Sequence, residues 1–162
     1  MLFRSLEDGR LVFYSGTGCG HVVCVDARTG QPLWRFKMSH GGVNAGVVIY
    51  QDLVIAVHGK ENIDSSKIGR MVGIKKPEVL PKLGESILEL GEDAEAWRNE
   101  ELESFTSSPV QHKDRVYTTI KTGELFCNDA ESGKTIWIVK LAPDQIHAAP
   151  TWADGKLYVP MF

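Results

Sequence analysis

The chain has 162 residues, of which 43% are hydrophobic and 24% charged, the composition of a globular domain with one ordinary core. Its formal net charge is −3, which gives no electrostatic reason to expect nucleic acid or an anionic membrane surface as a partner. No apolar run approaches the roughly 20 residues that span a bilayer, and the first ten residues lack the long apolar core of a signal peptide.

The first predicted element is a strand that follows an Asp-Gly turn, with the letters DGRLVFY at residues 8–14. A turn of this type beside an apolar run is typical of a β-hairpin. The same pattern of a turn and a strand returns at residues 51–57, 113–119 and 153–159. The last two copies lie about 40 residues apart, which is the repeat length of a propeller blade.

The next element carries the strongest pattern in the chain, because residues 22–34 read VVCVDARTGQPLW. Residues 125–137 repeat it as LFCNDAESGKTIW, with Cys, Asp, Ala, Gly and Trp at identical spacing. The residues before the Asp predict a third strand, the Gly predicts a tight turn, and a fourth strand carries the Trp. A repeat of this length indicates a chain built from copies of one supersecondary unit.

The middle unit departs from this pattern. Residues 69–74 match the third strand, but no Asp-x-x-x-Gly follows, and an insertion at residues 75–95 precedes Trp97, the candidate for the missing tryptophan. We predict that the insertion is a tolerated surface loop, with a partner-binding element as the alternative. Its apolar residues Leu88, Leu90 and Ala94 are compatible with a short helix.

An opening strand at residues 43–49, 106–110 and 147–152 completes the repeated unit. Four short antiparallel strands per unit predict an all-β fold, a partial β-propeller with about three blades' worth of strands. The strand count is thirteen, because the chain is predicted to open and to close on the second strand of a blade. Both incomplete blades would leave open sheet edges.

We place the units at 1–38, an incomplete blade; 39–103, a blade with the inserted loop; 104–141, a blade; and 142–162, an incomplete blade. The remainder of a larger propeller or another copy of the chain is therefore the first partner that we expect. A further protein partner is possible, and neither nucleic acid nor a membrane span is expected.

The signature at residues 25–34, with the opening strands at 107–110 and 147–150, resembles the repeat of the PQQ-binding-like β-propellers. This superfamily includes quinoprotein alcohol dehydrogenases and the BamB subunit of the outer-membrane assembly machine. The resemblance covers nearly the whole chain except the insertion. It implies a periplasmic or extracellular location, and it implies that the repeat tryptophans pack between neighbouring blades.

We interpret the repeated residues as structural. The aspartates are expected to accept backbone hydrogen bonds within the turn. Cys24 and Cys127 hold equivalent places in separate units, too far apart for a disulfide, and are predicted to be buried, whereas Cys19 lies in a glycine-rich turn. The structural set is Asp26, Gly30, Trp34, Trp97, Asp129, Gly133 and Trp137.

By resemblance, a quinoprotein dehydrogenase needs a calcium ion, a catalytic aspartate near the quinone and, in many members, adjacent cysteines. None of these can be mapped here, because Asp26 and Asp129 belong to the repeat signature and no two cysteines are adjacent. No histidine pair has the spacing of a metal site. We predict no catalytic residue, no metal site and no cofactor, with PQQ and calcium only under the alternative of a quinoprotein fragment.

The favoured function is a non-catalytic module, part of a larger propeller, that binds a protein partner or a small ligand. The alternatives are a fragment of a PQQ-dependent oxidoreductase and an assembly scaffold of the BamB type. A ligand site, if present, is expected where the inner strands face the central channel, with His147 equivalent to Thr106 and Val43. A hydrogen-bonded structural role for His147 is the competing interpretation. The candidate residues are Asn44, Thr106, Ser107 and His147.

Overall fold

A computed structural model describes residues 2–6 and 9–161, so Asp8 of the first predicted turn lies outside the described residues. The fold is all-β, as predicted, and none of its helices is long and apolar enough to cross a membrane within the part described. The described strands are β1 (Leu2–Ser5), β2 (Leu11–Gly16), β3 (His21–Asp26), β4 (Pro32–Lys37), β5 (Val48–Tyr50), β6 (Leu53–Glu61), β7 (Ile68–Lys75), β8 (Leu88–Leu90), β9 (Glu95–Asn99), β10 (Val110–His112), β11 (Arg115–Thr119), β12 (Glu124–Asp129), β13 (Thr135–Lys140), β14 (Thr151–Ala153) and β15 (Lys156–Tyr158).

These strands form four sheets, consistent with a partial propeller. The first sheet has the order β1-β2-β3-β4-β8, the second β5-β6-β7-β9, the third β10-β11-β12-β13 and the fourth β14-β15. All neighbours are antiparallel except β4 and β8. The boundaries of the four predicted units remain predictions.

The strand count differs from the expected thirteen because the first sheet contains two additional strands. The strand β1 pairs with β2, from Leu2 opposite Tyr14 to Ser5 opposite Leu11. The first sheet therefore opens on a strand upstream of the Asp-Gly turn, and not on the strand after it. The four residues of β1 read LFRS, two apolar residues followed by two polar ones, so they show no period-2 alternation that would predict a strand.

The insertion supplies the other additional strand. Leu88 and Leu90, whose spacing is compatible with a short helix, lie instead in β8, which pairs in parallel with β4 so that Leu88 is opposite Trp34. A 3-10 helix follows only at Glu92–Ala94. The outer edge of β4 presents backbone donors and acceptors, and their pairing favours the extended conformation over a helix here.

The register places the three repeat tryptophans alike. Trp34 is opposite Cys24, Trp97 is opposite Gly73, and Trp137 is opposite Cys127. A register shift follows directly after each of these pairs. The insertion therefore lengthens the connection between β7 and β9 without changing the position of the tryptophan.

The second sheet lies between the first and the third, and apolar side chains cover both of its faces. Along β6, Val54 and Ala56 belong to a core shared with the first sheet, whereas Ile55 and Val57 belong to a core shared with the third. Side chains alternate between the two faces of a strand, so a strand buried on both faces reads as a continuous apolar run. Burial on both faces therefore explains the continuous apolar run LVIAV at the start of β6.

The ring of Trp97 connects the second sheet to the third. A Cβ added at Gly133 would lie 2.2 Å from that ring, and one added at Gly73 would lie 2.4 Å from it. Gly133 also has a φ of +70°, which disfavours L side chains. Gly30 has a nearly identical φ of +75° in the matching turn of the first sheet, but nothing lies within 4 Å of its added Cβ.

These two glycines form a matched pair for mutation. We expect Gly30→Ala to lower the free energy of unfolding by about 1–2 kcal/mol, the cost of the left-handed backbone conformation. Gly133→Ala should cost roughly 1–3 kcal/mol more, because its methyl group must displace the Trp97 ring. Urea unfolding followed by tryptophan fluorescence measures both values. Equal losses in the two variants would mean that the Trp97 contact does not contribute to stability.

Candidate functional site

The repeat aspartates are engaged in their turns. Asp26 Oδ1 accepts hydrogen bonds from the backbone N–H groups of Arg28 (3.0 Å) and Thr29 (2.9 Å) and from the Thr29 hydroxyl (2.9 Å). Asp129 Oδ1 accepts from the backbone N–H and the hydroxyl of Ser132, at 2.9 and 2.8 Å. Hydrogen bonds of this kind favour the ionised carboxylate, so they lower the pKa of both aspartates.

The cysteines and tryptophans of the structural set differ in exposure. Cys24 and Cys127 are buried, as predicted, and Cys19 in its glycine-rich turn is exposed. Burial raises the pKa of the Cys24 thiol to about 12, which makes it inert at neutral pH. Trp34 is fully buried, whereas Trp137, at the same repeat position in the third sheet, is 42% exposed.

The candidate channel residues come from equivalent places in three sheets. Two-residue loops follow Tyr50, His112 and Ala153 in the hairpins β5–β6, β10–β11 and β14–β15. Six residues before each of these positions lie Asn44, Thr106 and His147, all exposed. Asn44 is therefore the equivalent of His147, and the expectation that Val43 held this place is off by one residue.

The structure brings three of the four candidates together. Thr106 Oγ1 lies 3.2 Å from His147 Nδ1 and donates to the His147 carbonyl at 3.3 Å. Ser107 is buried, contacts the Thr119 hydroxyl and donates to the Ala148 carbonyl at 3.0 Å. Ser107 thus joins the third sheet to the fourth, while Thr106 and His147 face solvent.

A cavity of about 340 Å³ is lined by His147 and by the aromatic ring of Phe105. The Phe105 ring is 41% exposed and lies 4.3 Å from the Lys60 ammonium group. Glu103 and Lys121 form an ion pair of 2.6 Å in the same wall. The remaining lining residues are Gly59 and Gln145.

This cavity suits a small amphipathic molecule, because it offers an aromatic face, a cation beside it and polar groups at the rim. Sequence reasoning missed Phe105. By its position before the hairpin loop, Phe105 is equivalent to Val43 and Ile146, which are both buried. An apolar residue at a normally buried position gives no sequence signal that it is exposed.

A buried charged cluster was also missed. Arg70 is only 2% exposed, pairs with Asp64 and donates to Asn62 Oδ1 at 2.8 Å. Arg98 also contacts Asp64, at 2.6 Å, and both guanidinium groups lower the pKa of that carboxyl. These contacts tie the loop between β6 and β7 to β9, which is a structural role.

His58 lies beside this cluster and is fully buried. Its Nδ1 accepts the backbone N–H of Lys60 at 3.2 Å, and its Nε2 has no hydrogen-bond partner among the described residues. Burial, with the nearby Arg70 charge, lowers the pKa of His58 to about 4. The imidazole is therefore neutral in the folded protein at neutral pH.

Calcium prefers six or more oxygen ligands, several of them carboxylates. Near the channel residues the one carboxylate in the cavity wall belongs to Glu103, which is paired with Lys121. No three His, Cys, Asp or Glu side chains come together to hold a metal ion within residues 2–6 and 9–161. The described residues therefore do not fit a calcium–quinone centre, and we derive no step through one.

Comparisons with known proteins address the fold. The family model described as outer membrane protein assembly factor BamB matches residues 4–68 and 85–161. No curated protein matches the chain in sequence. Among solved structures, BamB from Moraxella catarrhalis is similar with a TM-score of 0.64 and 21% identity, over 97% of this chain and 42% of that one.

Two further structures are similar. The computationally designed Ika4 protein has a TM-score of 0.61 and 16% identity, over 96% of this chain and 88% of that one. Quinohemoprotein alcohol dehydrogenase ADHIIG from Pseudomonas putida HK5 has a TM-score of 0.57 and 13% identity, over 93% and 29%. At these identities the likeness concerns the fold alone, and the chain spans less than half of the BamB and dehydrogenase chains.

Alanine substitutions should separate structural from accessible residues at the channel end. Ser107→Ala removes a buried hydroxyl that joins two sheets, so we expect it to cost about 1–3 kcal/mol of unfolding free energy. His147→Ala removes an exposed side chain and should change stability by about 0.5 kcal/mol or less. Chemical unfolding of the two variants tests this, and a larger loss for His147→Ala would assign the histidine a structural role.

The buried His58 predicts a pH dependence of stability. Its folded pKa of about 4 lies below the ordinary value of 6.5, so the unfolded chain binds more protons between these pH values. Stability should therefore fall by about 3 kcal/mol as the pH drops through this window. Urea unfolding from pH 7 to 4 should show a flatter profile in His58→Gln. The exposed His40→Gln should keep the wild-type slope, and a slope unchanged in His58→Gln would contradict the assignment.

Proposed function

Because the chain belongs to the family described as outer membrane protein assembly factor BamB, we propose that it is a non-catalytic β-propeller module that binds protein. The family match also confirms the resemblance to PQQ-binding-like propellers. The observation that carries the proposal is an exposed apolar surface on the third and fourth sheets. We call this surface the β13 face.

The β13 face comprises both sides of the edge strand β13, with Ile136 and Ile138 on one side and Trp137 and Val139 on the other, together with Tyr158 on β15. Each of these side chains is between 42% and 50% exposed. Single exposed apolar residues are common, but several large ones along one unpaired edge strand indicate an interaction surface. Trp137 and Tyr158 add aromatic rings, which are enriched where proteins associate.

The first sheet indicates how such a face is covered. There the outer strand β4 pairs with β8, and Trp34 is fully buried in a core that includes residues of the second sheet. In the third sheet β13 pairs only with β12 among the described strands. The mode of binding that we propose is therefore the addition of an extended segment along β13, with main-chain hydrogen bonds and apolar side chains against Trp137.

The remainder of a larger propeller or a second copy of the chain is the first occupant that we propose for this face. A separate protein partner, as for an assembly scaffold of the BamB type, is supported by the description of the family. The same description names the assembly of outer membrane proteins, which supports a periplasmic or extracellular location.

A fragment of a PQQ-dependent oxidoreductase is the competing function. Its support is the fold shared with quinohemoprotein alcohol dehydrogenase at 13% identity. It predicts calcium-dependent binding of added PQQ and reduction of a dye by an alcohol. The paired or hydrogen-bonded side chains at the channel end favour the binding module instead.

A charge on the β13 face tests the proposal directly. We expect the isolated chain to show a solution mass above 17.9 kDa by size exclusion with light scattering, because a second copy covers the face. Ile138→Asp should restore the monomer mass, since a carboxylate cannot be buried without a partner. Val79→Asp, at an 80% exposed position in the insertion, should leave the mass unchanged. A wild-type chain that stays at 17.9 kDa at all concentrations would overturn self-association. Dissociation caused by Val79→Asp but not by Ile138→Asp would show that the interface involves the insertion and not the β13 face.

A further inference from the structure

The turn between β2 and β3 holds an exposed thiol inside a polar cluster. Cys19 Sγ lies 3.2 Å from Thr17 Oγ1 and 3.3 Å from His21 Nδ1. On the neighbouring strand, Lys37 Nζ donates to the Cys19 carbonyl at 2.6 Å. A nucleophilic atom, a base and a cation therefore meet at one turn.

The third sheet contains the same turn with different side chains. Gly20 and Gly123 have matching φ values of +81° and +84°, and each precedes the third strand of its sheet. The strand pairing of His21 with Lys37 matches that of Glu124 with Lys140. Cys19, His21 and Lys37 therefore correspond to Thr122, Glu124 and Lys140.

In the third sheet the three positions form a closed polar triad. The Thr122 hydroxyl donates to the Glu124 carboxylate, which lies 3.0 Å from Lys140 Nζ. Lys140 also donates to the Thr122 carbonyl, as Lys37 does to that of Cys19. This copy has no nucleophile, and its cation is neutralised.

In the first sheet a thiol replaces the hydroxyl and an imidazole replaces the carboxylate. Lys37 consequently has no carboxylate partner within the described part of the chain, and the nearby Arg35 is already paired with Glu89 at 2.5 Å. The hydrogen bond between Thr17 Oγ1 and Cys19 Sγ and the charge of Lys37 lower the pKa of the Cys19 thiol. Burial, Lys37 and Arg35 lower the pKa of His21 and outweigh Glu89, so its imidazole is neutral and able to accept a proton.

We propose that Cys19 is a thiol modification site that forms a mixed disulfide with a small disulfide bearing carboxylate groups. The thiol proton passes to His21 Nδ1, and the Cys19 sulfur attacks one sulfur of the incoming disulfide. A new S–S bond forms, the original one breaks, and the second half leaves as a thiolate. A carboxylate on the retained half pairs with Lys37, in the place that Glu124 takes beside Lys140.

The other two cysteines provide an internal reference. Cys24 and Cys127 are buried, and burial raises the pKa of both thiols. Thiolate is the reactive form, so both should react slowly in the folded chain. Each chain is modified once, at Cys19, without catalytic turnover. This modification is independent of the binding function proposed for the β13 face.

The test uses two disulfide probes on the folded full chain at pH 7. One probe, 5,5′-dithiobis(2-nitrobenzoic acid), carries carboxylates, and the other, 4,4′-dithiodipyridine, is neutral at this pH. We expect one fast-reacting thiol, identified as Cys19 by mass spectrometry of the labelled peptide. It should react faster than the thiol in a peptide of residues 15–23. Cys19→Thr, which installs the residue of the third sheet, should abolish the fast phase.

Two matched variants test the role of the neighbours. His21→Glu installs the carboxylate of the third sheet and should slow both probes roughly threefold or more, because an anion beside the sulfur disfavours the thiolate. Lys37→Gln should lower the ratio of the carboxylated to the neutral rate, and Lys140→Gln should leave it unchanged. Circular dichroism confirms that each variant is folded.

Three results would overturn the proposal. The first is a Cys19 rate in the folded chain no higher than in the peptide, a comparison that needs no variant. The second is an unchanged rate in His21→Glu. The third is the same ratio of probe rates in Lys37→Gln and Lys140→Gln, which would remove the preference for a carboxylate-bearing disulfide.

Discussion

The burial of apolar sheet faces against the neighbouring sheet is the constraint on which the rest of the structure depends. A sheet of four short strands cannot bury two apolar faces by itself. The second sheet buries both of its faces because it has a neighbour on each side, and Trp97 extends this contact to the turn at Gly133. The turns, the paired strands and the cavity beside His147 are all positioned by this stacking.

The repeat signature made much of the fold predictable from the sequence. The Asp at positions 26 and 129 identifies a turn, because its carboxylate accepts local backbone hydrogen bonds, and the Gly supplies the left-handed conformation. Short elements without such chemistry were missed. The strand β8 has three residues, too few for periodicity to separate strand from helix, and its partner β4 lies more than 50 residues earlier.

The candidate site was less predictable, because a repeat pattern determines the position of a residue and not its surroundings. Trp34 and Trp137 share a register and a tilted contact with a tyrosine, Tyr14 at 5.7 Å and Tyr117 at 5.9 Å. One tryptophan is buried and the other half-exposed, since only the first is covered by a neighbouring element. Phe105 and Cys19 likewise acquire their roles from residues on other strands.

The strand β8 has a consequence for the geometry of assembly. Open strand edges invite chains to add to one another without limit, as in fibres. Here β8 closes the outer edge of the first sheet, and the outer strand β9 of the second sheet carries the ion-paired side chains of Glu95 and Arg98. Among the described strands, β13 of the third sheet and β15 of the fourth have no further strand beside them, and β13 carries the larger group of exposed apolar side chains. Strand addition is therefore directed to the third and fourth sheets, and the outer edges of the first two sheets are protected from it.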